Sequence, residues 1–183
     1  MSKILAIIGT SNTGKTSIIE YLVTNLVKKG LTIGSAKHVH HPDFSIDLDG
    51  KDTWRHANAG SKRVVCLSED EVAIIRKEKG PEYKLEDILK LFQDEEFDLI
   101  ILEGFHWMVS SRKEVLKIVT AKDVEDAEKR LNGTIPPILA ITGKISNILR
   151  GKSIQKIPII DLKDESDQLL DLIMEQVLPT AGN

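Results

Sequence analysis

Gly9-Thr10-Ser11-Asn12-Thr13-Gly14-Lys15-Thr16 constrains this chain more than any other stretch. Its spacing of Gly, four variable residues, Gly, Lys and Thr is that of a phosphate-binding loop. The apolar run Ile4-Leu5-Ala6-Ile7-Ile8 before it reads as a buried parallel strand. Residues 17–29 follow with Ile18, Ile19, Leu22, Val23, Leu26 and Val27 on one helical face, and Gly30 ends that pattern. The glycines let the backbone curl so that successive N–H groups point inward at phosphate oxygens. The positive end of the helix faces the same anion, so Gly9 to Thr16 and the adjoining Ser17 form a candidate nucleotide-phosphate site. In such a loop Lys15 reaches the β- and γ-phosphates and the Thr16 hydroxyl ligates Mg²⁺.

Composition narrows the alternatives. The 183 residues suit a single domain, 1–183, with a sizeable core. A net charge of −3 with scattered Lys and Arg gives no basic field to attract nucleic acid or an anionic membrane. Aromatic residues make up only 4%, too few for a single-strand stacking platform. The one cysteine, Cys66, lies in Val64-Val65-Cys66-Leu67 and reads as a buried structural thiol. No internal disulfide is available, which fits a reducing cytoplasm. Met1-Ser2-Lys3 leads directly into the first strand, so neither a signal peptide nor a bilayer-spanning segment is expected.

Further along, residues 31–39 read as a second strand, central in the sheet and parallel to the first. A polar stretch holds Asp43, Asp47 and Asp49, and a short helix is expected to start with Asp52 as its cap and stop at Gly60. Residues 62–68 and 71–77 read as a hairpin, which adds an antiparallel edge to the parallel sheet. Helices are expected over 85–95, 123–131 and 169–178, strands over 114–120, 138–141 and 157–160, and a frayed tail over 179–183. The alternation of strands and helices predicts an α/β, three-layer P-loop NTPase fold with a mostly parallel sheet.

Two more blocks carry chemistry. Phe97-Asp98-Leu99-Ile100-Ile101-Leu102-Glu103-Gly104 resembles a Walker B strand, delivering Glu103 to the sheet edge where ligands bind. There Glu103 accepts from the Mg²⁺ water shell or orients an attacking water, so Lys15 and Glu103 are the candidate catalytic pair, and Thr16 and Glu103 the metal pair. The second block is Lys37, His38, His40, His41, Asp47, Asp52 and Arg55. As a solvated loop or helix cap it needs no ligand. Its place after a strand, facing the phosphate loop, makes it a candidate for substrate or partner-ligand contacts. His38 and His40, at alternate strand positions, point the same way and with a carboxylate offer a transition-metal alternative.

In order along the chain, the Gly9–Thr16 loop, the block Lys37-His38-Val39-His40-His41-Pro42-Asp43-Phe44-Ser45-Ile46-Asp47 with Gly50-Lys51-Asp52-Thr53-Trp54-Arg55-His56, and residues 98–105 resemble the molybdopterin-guanine dinucleotide biosynthesis protein B family. The middle block is the most specific. The resemblance covers roughly the first 105 residues well and the rest only in pattern. It implies a P-loop protein that binds GTP with Mg²⁺, has weak GTPase activity, forms a homodimer, and assists a guanylyltransferase partner that attaches GMP to the molybdenum-bearing pterin. Leu48-Asp49 stands where that family usually has Lys-Pro, and His106 where Lys is expected, so local charge differs. Thr142-Gly143-Lys144 loosely resembles a guanine-reading lysine loop but lacks the aspartate that pairs with the guanine edge, which leaves base specificity open.

Two other functions compete. A nucleotide-dependent metallochaperone GTPase would use the His block as its metal site, but no long His-rich or Cys-bearing tail is present. A small-molecule kinase would use Asp47 or Asp52 as base, but no Arg-rich lid is recognisable.

Overall fold

The computed structural model describes residues 2–41, 44–77 and 83–178. Pro42 and Asp43 of the middle block and the tail from 179 onward lie outside them. The first half contains β1 (Lys3–Gly9), α1 (Lys15–Lys28), β2 (Ile33–Lys37), α2 (Asp52–Asn58), β3 (Val64–Leu67), β4 (Val72–Ile75) and α3 (Leu85–Leu89), which tightens into a 3-10 turn over Lys90–Phe92. Next come β5 (Leu99–Glu103), α4 (His106–Val109), β6 (Leu116–Thr120), α5 (Val124–Asn132) and β7 (Ile138–Thr142). Last are α6 (Ser146–Leu149), β8 (Ser153–Ile154), β9 (Ile157–Pro158) and α7 (Ser166–Val177). The chain divides into two compact units, residues 1–38 with 84–183, and residues 39–83.

The larger unit is built on a five-stranded parallel sheet in the order β2-β5-β1-β6-β7. Side chains alternate across a strand, so a run that is apolar at every position must be covered on both faces. Leu5, Ile7, Leu99, Ile101 and Ile118 pack with Ile18, Leu22 and Leu26 of α1 and Leu169, Leu170 and Ile173 of α7. On the other face Ala6, Ile8, Ile100, Leu102 and Val119 pack with Leu85 of α3, Met108 and Val109 of α4, and Ala127 and Leu131 of α5. Helix, sheet, helix is therefore the layer order, as the sequence pattern predicts. Among the described residues, no helix is long and apolar enough to cross a membrane.

The second strand is parallel but not central. Among the described residues it pairs only with β5 and forms the sheet edge. Its residues Ile33-Gly34-Ser35-Ala36-Lys37 lack the continuous apolar run that burial on both faces demands.

In the smaller unit β3 and β4 pair antiparallel, as the tight turn requires, but as a separate two-stranded sheet instead of an added edge strand. Of β3 only Val64 is buried, while Val65, Cys66 and Leu67 are exposed. Cys66 is accordingly an exposed free thiol, contrary to the reading from its apolar neighbours. Helix α2 starts at Asp52, with Lys51 in extended backbone as the capping residue. Asp52 thus lies in the first turn, where its charge favours the helix dipole without capping it.

Candidate functional site

Because β1, β5, β6 and β7 run parallel, the turns that leave their carboxyl ends lie along one edge of the sheet. The loop after β1 bends through positive φ at Asn12 (62°) and Gly14 (94°). It is pinned from below. The buried Thr13 hydroxyl donates to the Thr10 carbonyl at 2.8 Å and lies 2.6 Å from the Thr120 hydroxyl at the end of β6. Gly9 must be glycine here, since a Cβ would stand 2.0 Å from Thr120 Oγ1 and 2.3 Å from its carbonyl oxygen.

Lys15 Nζ folds onto its own loop, donating to the Gly9 and Thr10 carbonyls at 3.1 and 2.6 Å. Burial lowers its pKa from the ordinary 10.5; the Glu103 carboxylate opposes that shift, while Lys37 and Arg130 add to it. An ammonium held this way is short of negative charge, and a phosphate would supply it. The Thr16 hydroxyl donates to Glu103 Oε1 at 3.3 Å. The same oxygen lies 3.2 Å from Lys37 Nζ. Glu103 reaches this position because β5 is buried up to its last residue. Gly104 then turns at φ 84°, where a Cβ would lie 3.1 Å from the His38 carbonyl.

These contacts test the fit of a metal–triphosphate. A hydroxyl and a carboxylate side by side, next to a lysine in a curled loop, form a hard-oxygen donor set suited to Mg²⁺. The residues present fit the group: Thr16 and Glu103 for the ion, Lys15 and the loop amides for phosphate.

Of the sequence candidates, Gly9 to Ser17, Glu103 and Lys37 converge on this edge. His38 stands beside it, its ring edge-on to Trp107 at 4.4 Å and to Phe105 at 5.7 Å. It lies beyond the end of β2, so it and His40 are not alternate residues of one strand. His40, His41, Asp47, Asp52 and Arg55 belong to the smaller unit. There Asp47 accepts from the Thr53 hydroxyl at 2.8 Å, Arg55 lies 3.6 Å from Asp52, and the two His are exposed. Among the described residues no three His, Cys, Asp or Glu gather as a metal-holding group.

Sequence reasoning missed two sets of residues at the edge. Asp126 of α5 accepts from the Thr10 hydroxyl at 3.1 Å and from the Lys122 N–H at 3.2 Å, with Arg130 Nε 3.8 Å away. The Asp126–Arg130 spacing, i to i+4 just after a strand, was the available signal. On the other flank Asp161 and Ser146 are buried against each other, Ser146 Oγ to Asp161 Oδ2 at 2.7 Å. That hydroxyl, ahead of two loop amides, holds the Asp161 carboxyl below its ordinary 3.8.

Sheet order, curled loop and the lysine–threonine–glutamate group together define a P-loop α/β protein. The family model described as "Molybdopterin guanine dinucleotide synthesis protein B" (MobB) matches residues 4–140, and the chain belongs to that family. A molybdopterin-guanine dinucleotide biosynthesis adapter protein of Haemophilus influenzae is 33% identical over 102 residues, 56% of this chain and 56% of that protein. One of Escherichia coli K12 is 31% identical over 124 residues, 67% of each. The chain thus spans little more than half the length of the first of these relatives. The crystal structure of Bacillus subtilis MobB superposes with a TM-score of 0.75 at 24% identity, covering 97% of this chain and 99% of that one. A MobB homologue of Bacillus stearothermophilus gives 0.68 at 20%, covering 95% and 97%. These superpositions establish the fold.

Proposed function

We propose that the chain is a GTP-binding adapter for the guanylation of molybdopterin to molybdopterin guanine dinucleotide, with Mg²⁺ as cofactor and slow GTP hydrolysis. The observation that carries this reading is the group Lys15–Thr16–Glu103, built on the phosphate loop of a chain in the family whose curated relatives are named as such adapters. Lys15 exchanges the Gly9 and Thr10 carbonyls for phosphate oxygens. Thr16 and Glu103 hold Mg²⁺, which neutralises phosphate charge. Lys37, already paired with Glu103, balances that carboxylate in the absence of the ion. The adapter works in the cytoplasm beside a guanylyltransferase that performs the transfer, and as a homodimer. Lys37, His38, His40, His41, Asp47, Asp52 and Arg55 serve the pterin or the partner enzyme.

Titration calorimetry with GTP and Mg²⁺, paired with a reconstituted guanylation assay, tests this. Lys15→Ala should reduce GTP affinity by about a hundredfold, the scale of a lost charged hydrogen-bond donor, and abolish stimulation of the partner. Unchanged affinity in the variant overturns the reading.

A further inference from the structure

The parallel sheet has a second edge, where its strands begin: β1 at Lys3 and β5 at Leu99. The 7 residues of β1 separate it from the phosphate loop, about 20 Å of extended chain. A groove of about 740 Å³ opens there, between residues 2–4, Thr32, residues 89–98 and Val177. Ile4, Leu89, Phe92, Phe97 and Val177 are its half-buried apolar lining. The rings of Phe92 and Phe97 meet edge-on, with centroids 5.5 Å apart. Gly34 of β2 admits them, since a Cβ there would stand 2.9 Å from Phe92 Cδ1 and 3.3 Å from Phe97 Cδ1.

The frame of the groove is tied together by hydrogen bonds. Asp98 Oδ2 accepts from the Thr32 N–H at 2.8 Å, the Asp98 N–H donates to the Thr32 carbonyl at 2.9 Å, and the Lys3 N–H donates to the Asp98 carbonyl at 3.1 Å. With Asp98 so engaged, the carboxylates left in the lining are those of Glu95 and Glu96. Both residues are exposed, and among the described residues neither side chain has a hydrogen bond or an ion pair. Lys3 is the one cation of the lining against these three acids. Half-buried apolar groups beside unpaired, exposed acids complement a segment that carries apolar side chains next to Lys or Arg. Exposed charge pairs set orientation and exclude acidic competitors, while the apolar contact supplies affinity. A nucleotide or other polyanion is repelled here. A second copy of this face, paired about a twofold axis, would set Glu95 and Glu96 against their own kind.

We propose that this groove docks a short apolar–basic segment of another protein, its apolar side chains against Phe92 and Phe97 and its Lys or Arg beside Glu95 and Glu96. The proposal stands independently of the nucleotide reading. NMR titration of the full chain with a capped Lys-Leu-Lys-Phe-Lys-Leu-Lys peptide tests it, with Glu-Leu-Glu-Phe-Glu-Leu-Glu as the control. The basic peptide should shift the amide signals of residues 2–4, 32 and 89–98 and leave those of residues 9–17 in place. Glu95→Lys combined with Glu96→Lys, at two exposed positions, should weaken it about tenfold or more, the scale of two exposed ion pairs, with an unchanged thermal melt. Equal affinity for the two peptides, no shifts in the groove, or parental affinity in the double variant overturns the proposal. So does a groove already filled by residues 179–183 or by a second copy, seen as NOE contacts to the Phe92 ring in the free protein.

Discussion

Glu103 is where the chemistry is most exposed to a single change. Its carboxylate sits between the Thr16 hydroxyl and the Lys37 ammonium, and only 12% of its side chain is exposed. Glu103→Gln preserves shape and removes charge. GTP should still bind, because the loop amides and Lys15 are untouched, while Mg²⁺-dependent phosphate release should fall by about tenfold to a hundredfold. Release at the parental rate would make Glu103 a purely structural strand end. His106 is a second such residue. Its Nε2 lies 3.2 Å from the Thr134 hydroxyl, and burial, with Arg130 adding, lowers its pKa from the ordinary 6.5. A histidine depressed in the folded state favours folding while neutral. Its contribution is full above 6.5 and is lost as pH falls through the lower folded value, because the unfolded chain takes up the proton first. Thermal melts of His106→Gln should therefore lose part of the acid destabilisation seen in the parent between about pH 7.5 and 5. A parent–variant gap that stays constant with pH would contradict this.

At the scale of elements, α5 acts on the phosphate loop although no ligand chemistry is written in it. Asp123 caps this helix through the Asp126 N–H at 2.9 Å, and the first turn then carries Asp126 to Thr10. That carboxylate repels an incoming triphosphate and occupies Arg130. Asp126→Asn should thus strengthen GTP binding severalfold, about 0.5–1 kcal/mol for a partly screened charge. Weaker binding would instead mean that the Thr10 hydrogen bond is what shapes the loop. The loop, β1, β5 and the acid at its end were legible because each is local: a buried parallel strand must be apolar at successive positions, and a phosphate turn must have its glycines. The edge position of β2 was also legible, in Ser35 and Lys37, but was outweighed by its place directly after α1. The Asp126–Arg130 spacing marks a helix face, but the contact of Asp126 with Thr10 was not legible, since it joins the loop after β1 to the first turn of α5, far apart in sequence. The groove at Phe92 and Phe97 is hidden for the same reason, being assembled from residues near 3, 32, 95 and 177. Cys66 misled because an apolar run predicts burial only where something covers it.

On the scale of the whole molecule, that uncovered hairpin bears on assembly. Val65 pairs with Ile74 and Leu67 with Val72, so all four side chains share one face of the two-stranded sheet. They are 51%, 62%, 72% and 64% exposed in that order. A lone hairpin is marginal in water, and an aliphatic side chain taken from solvent contributes about 1.5–3 kcal/mol when fully covered. A second copy of the same face supplies such a cover, and a net charge of −3 puts little repulsion between copies. Closed twofold pairing would place each hairpin against its twin. The parent protein should therefore scatter light as a dimer at micromolar concentration, and Leu67→Lys combined with Ile74→Lys should convert it to a monomer. The double variant should still bind GTP with parental affinity, because the phosphate loop belongs to the larger unit. A parent that stays monomeric as its concentration is raised, or a double variant that remains dimeric, would remove the hairpin face from the interface.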